Sequence, residues 1–197
     1  DTSVPAQPEQ TLTQWLDAQY EEELQFSPIE LTFLGRKERN SEIDAFTFTA
    51  FAERLAWKTS SVEQMQRLFK REDLTLDERL SFDLWAYQLK RMQESEQFFY
   101  DGLVFDQMNG LQSFVPTFLI NFHRVETADD MHAYIERVKA VSPRMEEAID
   151  NASKGATKGV VSQSFALDGT VKQAQSVISG LPFESDAANN SDLWADM

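Results

Sequence analysis

Two short signatures constrain what this chain can fold into: TLDE at 75–78 and TADD at 127–130. Both are capping boxes. The threonine hydroxyl accepts from an amide of the first turn, and the acidic side chain reaches back to the cap's own N–H. Two of the unpaired donors at a helix start are thereby satisfied. From Thr75, the apolar positions Leu80, Leu84, Tyr87 and Leu89 carry a predicted helix to about residue 99, with Phe82, Trp85, Phe98 and Phe99 as aromatic neighbours. From Thr127, a second predicted helix runs through Met131, Tyr134, Ile135, Val138, Met145, Ala148 and Ile149. Pro143 bends it and Gly155 ends it.

The same periodicity predicts a helix over 11–26 and another from Asp44 to about Lys70, weakest at KTSSVEQ. Pro28 stops the first, because Ser27 before proline is pushed out of the α region. Residues 27–40 then read as a connector with one helical turn and a turn at Gly35. Residues 158–170 read as a second connector, 171–180 as a short helix closed by Gly180, and LPFESDAANN as a loop. Strand alternation is scarce; DAFTFTAF alternates briefly and flows into a helical pattern. The expected fold is all-α: an irregular bundle of about six helices with one apolar, loop-rich segment near 101–125. Residues 1–10 are expected to be a flexible tether and 11–185 a single helical domain. Residues 186–197 are expected to be a linker and the start of a helix belonging to a further C-terminal part, because SDLWADM stops as its pattern begins.

The net charge of −15 sets the surface. Phosphate backbones repel it, and the basic cluster GRKER contains Glu38 and is soon followed by Glu42 and Asp44, so nucleic acid is not an expected partner. The same charge disfavours anionic lipid. No apolar run reaches the ~20 residues of a membrane span. Cysteine is absent, which removes disulfides, thiolate ligands and a Cys nucleophile. The 15 Phe suit thick, aromatic-filled helical layers.

Little catalytic chemistry is in view. The only histidines, His123 and His132, are nine apart and lack a third partner. Acidic neighbours such as Glu21 to Glu23, Asp129 and Asp130, or Glu146 and Glu147 point about 100° apart on a helix, the geometry of a solvated face. No nucleophile-elbow serine and no phosphate-cradling glycine loop is present. The segment FDQMNGLQSFVPTFLINFHRV, 105–125, stands apart: an apolar run studded with Gln107, Asn109, Gln112 and Asn121. Asn109-Gly110 is a turn signal, since both residues tolerate positive φ. Buried amides need partners. These either bond the backbone of an irregular segment or line a cleft for an extended ligand.

Taken in order, SPIELTFLGRKERNSEIDAFT, LTLDERLSFDLWAYQLKR, the 105–138 stretch and KGVVSQSFALDGTVKQ resemble the N-terminal part of a large bacterial family, domain of unknown function 885. The resemblance covers about residues 25–185. One departure follows KGVV, which reads SQSF where a proline-rich stretch is expected. Family members are similar to long, largely helical, secreted or lipid-anchored proteins, with a zinc-metallopeptidase-like HExxH helix in their later part. This sequence has no such motif, so the resemblance places no catalytic or metal residue here. Zinc, on that resemblance, belongs to a C-terminal part.

The resemblance therefore implies a non-catalytic N-terminal helical domain, in the periplasm or on a lipid anchor, forming a wall or lid of a peptide-binding cleft. Its partners would be the C-terminal domain of the same protein and a peptide or small-molecule substrate. Gln107, Asn109, Gly110 and Asn121 become the cleft candidates. The alternative is a self-contained envelope lipoprotein module for protein–protein interaction, with charge all round its surface. A weaker third reading is a small enzyme with its own metal at His123 and His132.

Overall fold

The computed structural model describes residues 10–191 and 194–195. Both expected capping boxes form: Thr75 accepts from the Glu78 amide and Thr127 from the Asp130 amide, each with the reciprocal bond. A third box, unforeseen, opens the first helix, where Thr11 and Gln14 exchange the same pair of bonds at 3.3 and 3.0 Å. Seven α-helices follow among the described residues: α1 Leu12–Leu24, α2 Pro28–Phe33, α3 Phe48–Leu68, α4 Leu76–Glu96, α5 Leu111–Phe122, α6 Ala128–Thr157 and α7 Ser164–Ser176. They contain no strand; Leu181 and Asn190 form an isolated bridge. The fold is all-α. No helix of the described residues is long and apolar enough to cross a membrane.

Several boundaries move for identifiable reasons. In the apolar 101–125 segment, 101–110 and 123–125 are irregular, and 111–122 is the regular helix α5 with Pro116 inside it. Gly155 does not end α6. A Cβ there would lie 2.6 Å from the Tyr100 carbonyl oxygen, so the glycine permits a close backbone approach. The helix ends two residues later. Gly159 takes φ +86, and the amides of Gly159 and Val160 return to the carbonyls of Ala156 and Gly155. That is a Schellman closure, and it needs a left-handed residue. Much of the expected 158–170 connector is the first half of α7. The tether expected at 1–10 lies, but for Gln10, outside the described residues. So do residues 192, 193, 196 and 197 of the expected terminal helix; Trp194 and Ala195 are helical.

The described chain is built as two compact units, Asp1–Phe26 with Phe48–Phe99, and Ser27–Thr47 with Tyr100–Met197. In the first, α3 packs on α4 and α1 on α4. Leu12 and Trp15 of α1, Val62 and Met65 of α3, and Phe82, Trp85 and Leu89 of α4 form the core, with Phe69 beside Trp15. The KTSSVEQ stretch, the weakest part of the sequence pattern, is fully helical, with one face buried and the other exposed. Lys58 and Ser61 lie on the buried stripe of an unbroken α3. The Lys58 ammonium sits 3.0 Å from the centre of the Trp85 ring, 3.1 Å from Glu23 and 2.8 Å from the Gln88 amide oxygen. Ser61 accepts the Trp85 indole N–H at 3.0 Å. Burial lowers the Lys58 pKa, while Glu23 opposes that shift.

A buried charge is tolerated only while its partners stay. Glu23→Gln should therefore cost about 1–3 kcal/mol of unfolding free energy, whereas Lys58→Met, which keeps the volume and the contact with Trp85, should change it by less than about 1 kcal/mol. Urea unfolding of both variants checks the asymmetry. A larger loss for Lys58→Met than for Glu23→Gln would contradict it.

Candidate functional site

The second unit is organised around Arg137 on α6, which is fully buried. It stands one turn after Tyr134, on the stripe that α6 turns to the core with Val138, Val141 and Met145. No carboxylate among the described residues bonds its guanidinium. Its donors go to neutral acceptors instead: Nε to the Glu42 carbonyl at 2.8 Å, Nη1 to Asn40 Oδ1 at 3.2 Å, and Nη2 to Thr32 Oγ1 at 3.0 Å and the Arg39 carbonyl at 3.4 Å. The Phe118 ring covers it at 5.1 Å. Burial lowers its pKa to about 10, with Asp44 and Glu42 pulling the other way. Arg39 supplies its carbonyl from a φ of +73, a left-handed geometry costly for a residue with a side chain. An Arg39–Glu42 ion pair clamps that turn at 2.6 Å.

Arg137 also decides the state of His123. Its Nη1 lies 2.9 Å from His123 Nδ1, and a guanidinium can only donate, so Nδ1 must accept. The proton is then on Nε2, which donates to the Asp130 carbonyl at 3.2 Å. The imidazole is neutral, and its pKa is lowered by burial first, with the Arg137 charge adding to the shift. Asp130 is held well below the ordinary carboxylate range by Lys37, at 2.9 Å, and by the Glu126 and Thr127 amides.

Above this cluster lies a surface cleft of about 340 Å³. The end of α2 supplies Thr32, Phe33 and Leu34, and the following turn Gly35, Arg36, Lys37 and Asn40; the end of α5 supplies Asn121, Phe122 and Arg124. Both helices bring their C-termini here, and their carbonyl ends favour the cationic side chains Arg36, Lys37 and Arg124 that gather around the cleft. Phe33 and Phe122 meet edge to face at 4.6 Å yet stay 40% and 44% exposed.

The four sequence-derived candidates do not form one constellation. Gln107 and Asn109 are exposed on the irregular stretch. The Asn109 amide donates to Asp106 Oδ1 at 2.8 Å, and the Gln107 carbonyl accepts from Gln173 at 3.1 Å. Gly110 is the N-cap of α5 at φ −65, so the turn needs no positive φ. Its glycine is explained by space, since a Cβ would lie 2.4 Å from Asp106 N. Asn121 lies at the far end of α5, about 16 Å along the axis at 1.5 Å per residue. It bonds the Thr117 carbonyl at 3.0 Å and alone of the four lines the cleft. Sequence reasoning missed Thr32, Asn40 and Arg137. The available signal was the position of Arg137 within the apolar period of α6. Gln112, the other amide of the segment, is buried; its Nε2 donates to the Asp106 carbonyl and to Gln173 Oε1.

Among the described residues, no group of three or more His, Asp or Glu is placed to hold an ion. Both His123 nitrogens are committed, and His132 is exposed on α6. The two-histidine metal reading is therefore not carried further.

Gly110→Ala should destabilise the protein by about 2 kcal/mol, because the new methyl meets the Asp106 backbone as well as the Gln112 side chain, and the backbone cannot swing aside; a midpoint shift in urea reads it, and a neutral change would contradict the packing. The His123 environment sets a pH dependence. The unfolded imidazole takes a proton near its ordinary 6.5, and the folded one only at lower pH. Stability should thus fall as pH drops from about 7 to about 5.5. Asp130 adds nothing in that window, since its contribution is complete above 3.8 and declines only below it. Urea midpoints across that range check the sign.

Neither a curated protein nor a solved structure matches the chain. The family described as "Bacterial protein of unknown function (DUF885)" matches residues 28–196, most of the chain including the whole cleft, and the chain belongs to that bacterial family.

Proposed function

We propose that the chain is a non-catalytic helical domain of a metallopeptidase-like protein, forming a wall or lid of its peptide-binding cleft. On this reading the zinc and the hydrolytic groups belong to a further C-terminal part, and the protein works in the periplasm or on a lipid anchor.

The observation that carries the reading is an apolar stripe on α4. Leu76, Leu80, Leu84 and Tyr87 follow one another at helical spacing and are 81%, 70%, 53% and 54% exposed. A second stripe, Leu167, Val171 and Ile178, runs along and just beyond α7, also exposed. Scattered exposed leucines are ordinary; aligned ones on a helix face mark a surface meant to be covered. A self-contained envelope module would close such faces with charge, so the stripes weigh against the alternative. Asn121 and the apolar rim of the cleft add a surface suited to peptide backbone and side chains.

The test begins with the intact mass of the native gene product, measured on protein from its own cells; a mass equal to this chain's overturns the reading. In the longer protein, the double variant Leu80→Glu with Leu84→Glu should lower peptide hydrolysis about tenfold at unchanged zinc content. In the isolated chain the same changes should leave stability within about 0.5 kcal/mol, because both side chains are exposed. Full hydrolysis by the double variant would count against a covered α4 face.

A further inference from the structure

The cleft at the ends of α2 and α5 carries cations in an acidic protein. Arg36, Lys37 and Arg124 line it, and no carboxylate does. Lys37 is neutralised by Glu126 and Asp130 at 2.8 and 2.9 Å, and Arg36 by Glu38. Arg124 has no hydrogen bond or ion pair among the described residues. Its guanidinium stands at the rim with its full charge and five donors unspent.

The floor supplies a second, independent sign. Asn40 is 8% exposed, and its Oδ1 is taken by Arg137. Its Nδ2 lies 3.3 Å from His123 Nε2. Because Arg137 forces the proton onto Nε2, that contact sets donor against donor. The Asn40 amide hydrogens therefore have no acceptor among the described residues. A buried donor without an acceptor costs about 1–3 kcal/mol, which an acceptor arriving in the cleft would recover. Between rim and floor, Phe33, Leu34 and Phe122 offer three exposed apolar side chains on one concave surface. A cation, an unspent amide donor and an apolar wall together select an anion attached to an apolar body.

We propose that this cleft binds a carboxylate carried on an apolar group, as at the C-terminus of a peptide ending in an aromatic or large aliphatic residue. Arg124 pairs the carboxylate in bidentate fashion, Asn40 donates to it from below, and Phe33, Leu34 and Phe122 hold the side chain. Only the source of that carboxylate, a peptide, rests on the cleft reading above; the site itself is read on this chain alone, without hydrolysis.

The experiment titrates the chain with N-acetyl-L-phenylalanine and, separately, with its amide, by calorimetry. Arg124→Gln is compared with Lys172→Gln, an equal change of charge at an exposed position on α7. The acid should bind at least about tenfold more tightly than the amide. Arg124→Gln should abolish that preference and leave the weaker amide binding and the thermal midpoint unchanged, while Lys172→Gln keeps the preference. Equal binding of acid and amide, equal losses in both variants, or no binding of either probe would overturn the proposal. Displacement of the probe by equimolar inorganic phosphate would overturn its apolar half. Acid binding in a protein whose longer form hydrolyses no peptide would retire the peptidase reading and leave this site in place.

Discussion

A single guanidinium holds the second unit in register. Arg137 reaches α2 through Thr32, the 39–42 turn through two carbonyls and Asn40, and the end of α5 through His123. It does so from the first half of α6, bonded to no carboxylate among the described residues. A planar fork suits this task, because its donors diverge at fixed angles and each meets an acceptor from a different segment. Elements far apart in sequence are thus tied through one side chain. The strained φ of Arg39 is tolerated because the same hub uses the carbonyl that the strain presents.

The cleft and the hub are two faces of one arrangement. Thr32 and Asn40 are bonded to Arg137 from below and line the cleft from above. Asp44 fastens the other end of α2, accepting from the Ser27 hydroxyl at 2.6 Å and the Ile29 amide at 2.9 Å. The following residues are tied to α6, where Glu147 accepts the Phe46 amide at 2.9 Å. The cleft floor is therefore built on a network satisfied at nearly every atom, which makes the idle Asn40 donors conspicuous. The neutral tautomer of His123 follows from the same hub, so cleft chemistry and core stability are coupled through one ring.

Helix starts were legible in the sequence because capping is local: Thr75 and Thr127 announce themselves with a partner three residues on. Helix lengths were less so. Gly155 reads as a stop, yet its role is to admit the Tyr100 carbonyl, a contact no local pattern encodes. Pro143 reads as a residue inside a helix and lies there, and Pro116, in the segment expected to be loop-rich, also lies within a continuous helix, whose packed face outweighs one lost bond. Buried charge escaped the sequence reading. Lys58 and Arg137 carry no local mark that separates them from the other cations of the chain, and both are fully buried. Their helical phase, on the stripe of Met65 and of Tyr134, was visible; their partners were not. Of the candidate site, Asn121 was legible as an amide in an apolar run. Arg124 became distinctive only once the carboxylates near it proved committed elsewhere.

The aromatic placement in the first unit has an optical consequence. Trp15, Trp57 and Trp85 all belong to it, while the remaining tryptophan, Trp194, is half exposed. Trp85 lies under the Lys58 ammonium and donates to Ser61, so its emission depends on a charge and a hydrogen bond that vanish when α3 and α4 part. Intrinsic fluorescence is thus chiefly a gauge of one unit, whereas far-ultraviolet dichroism weighs helices of both. Recorded on the same sample, the two signals would separate the melting of the tryptophan-bearing helices from that of the arginine-centred ones without any label.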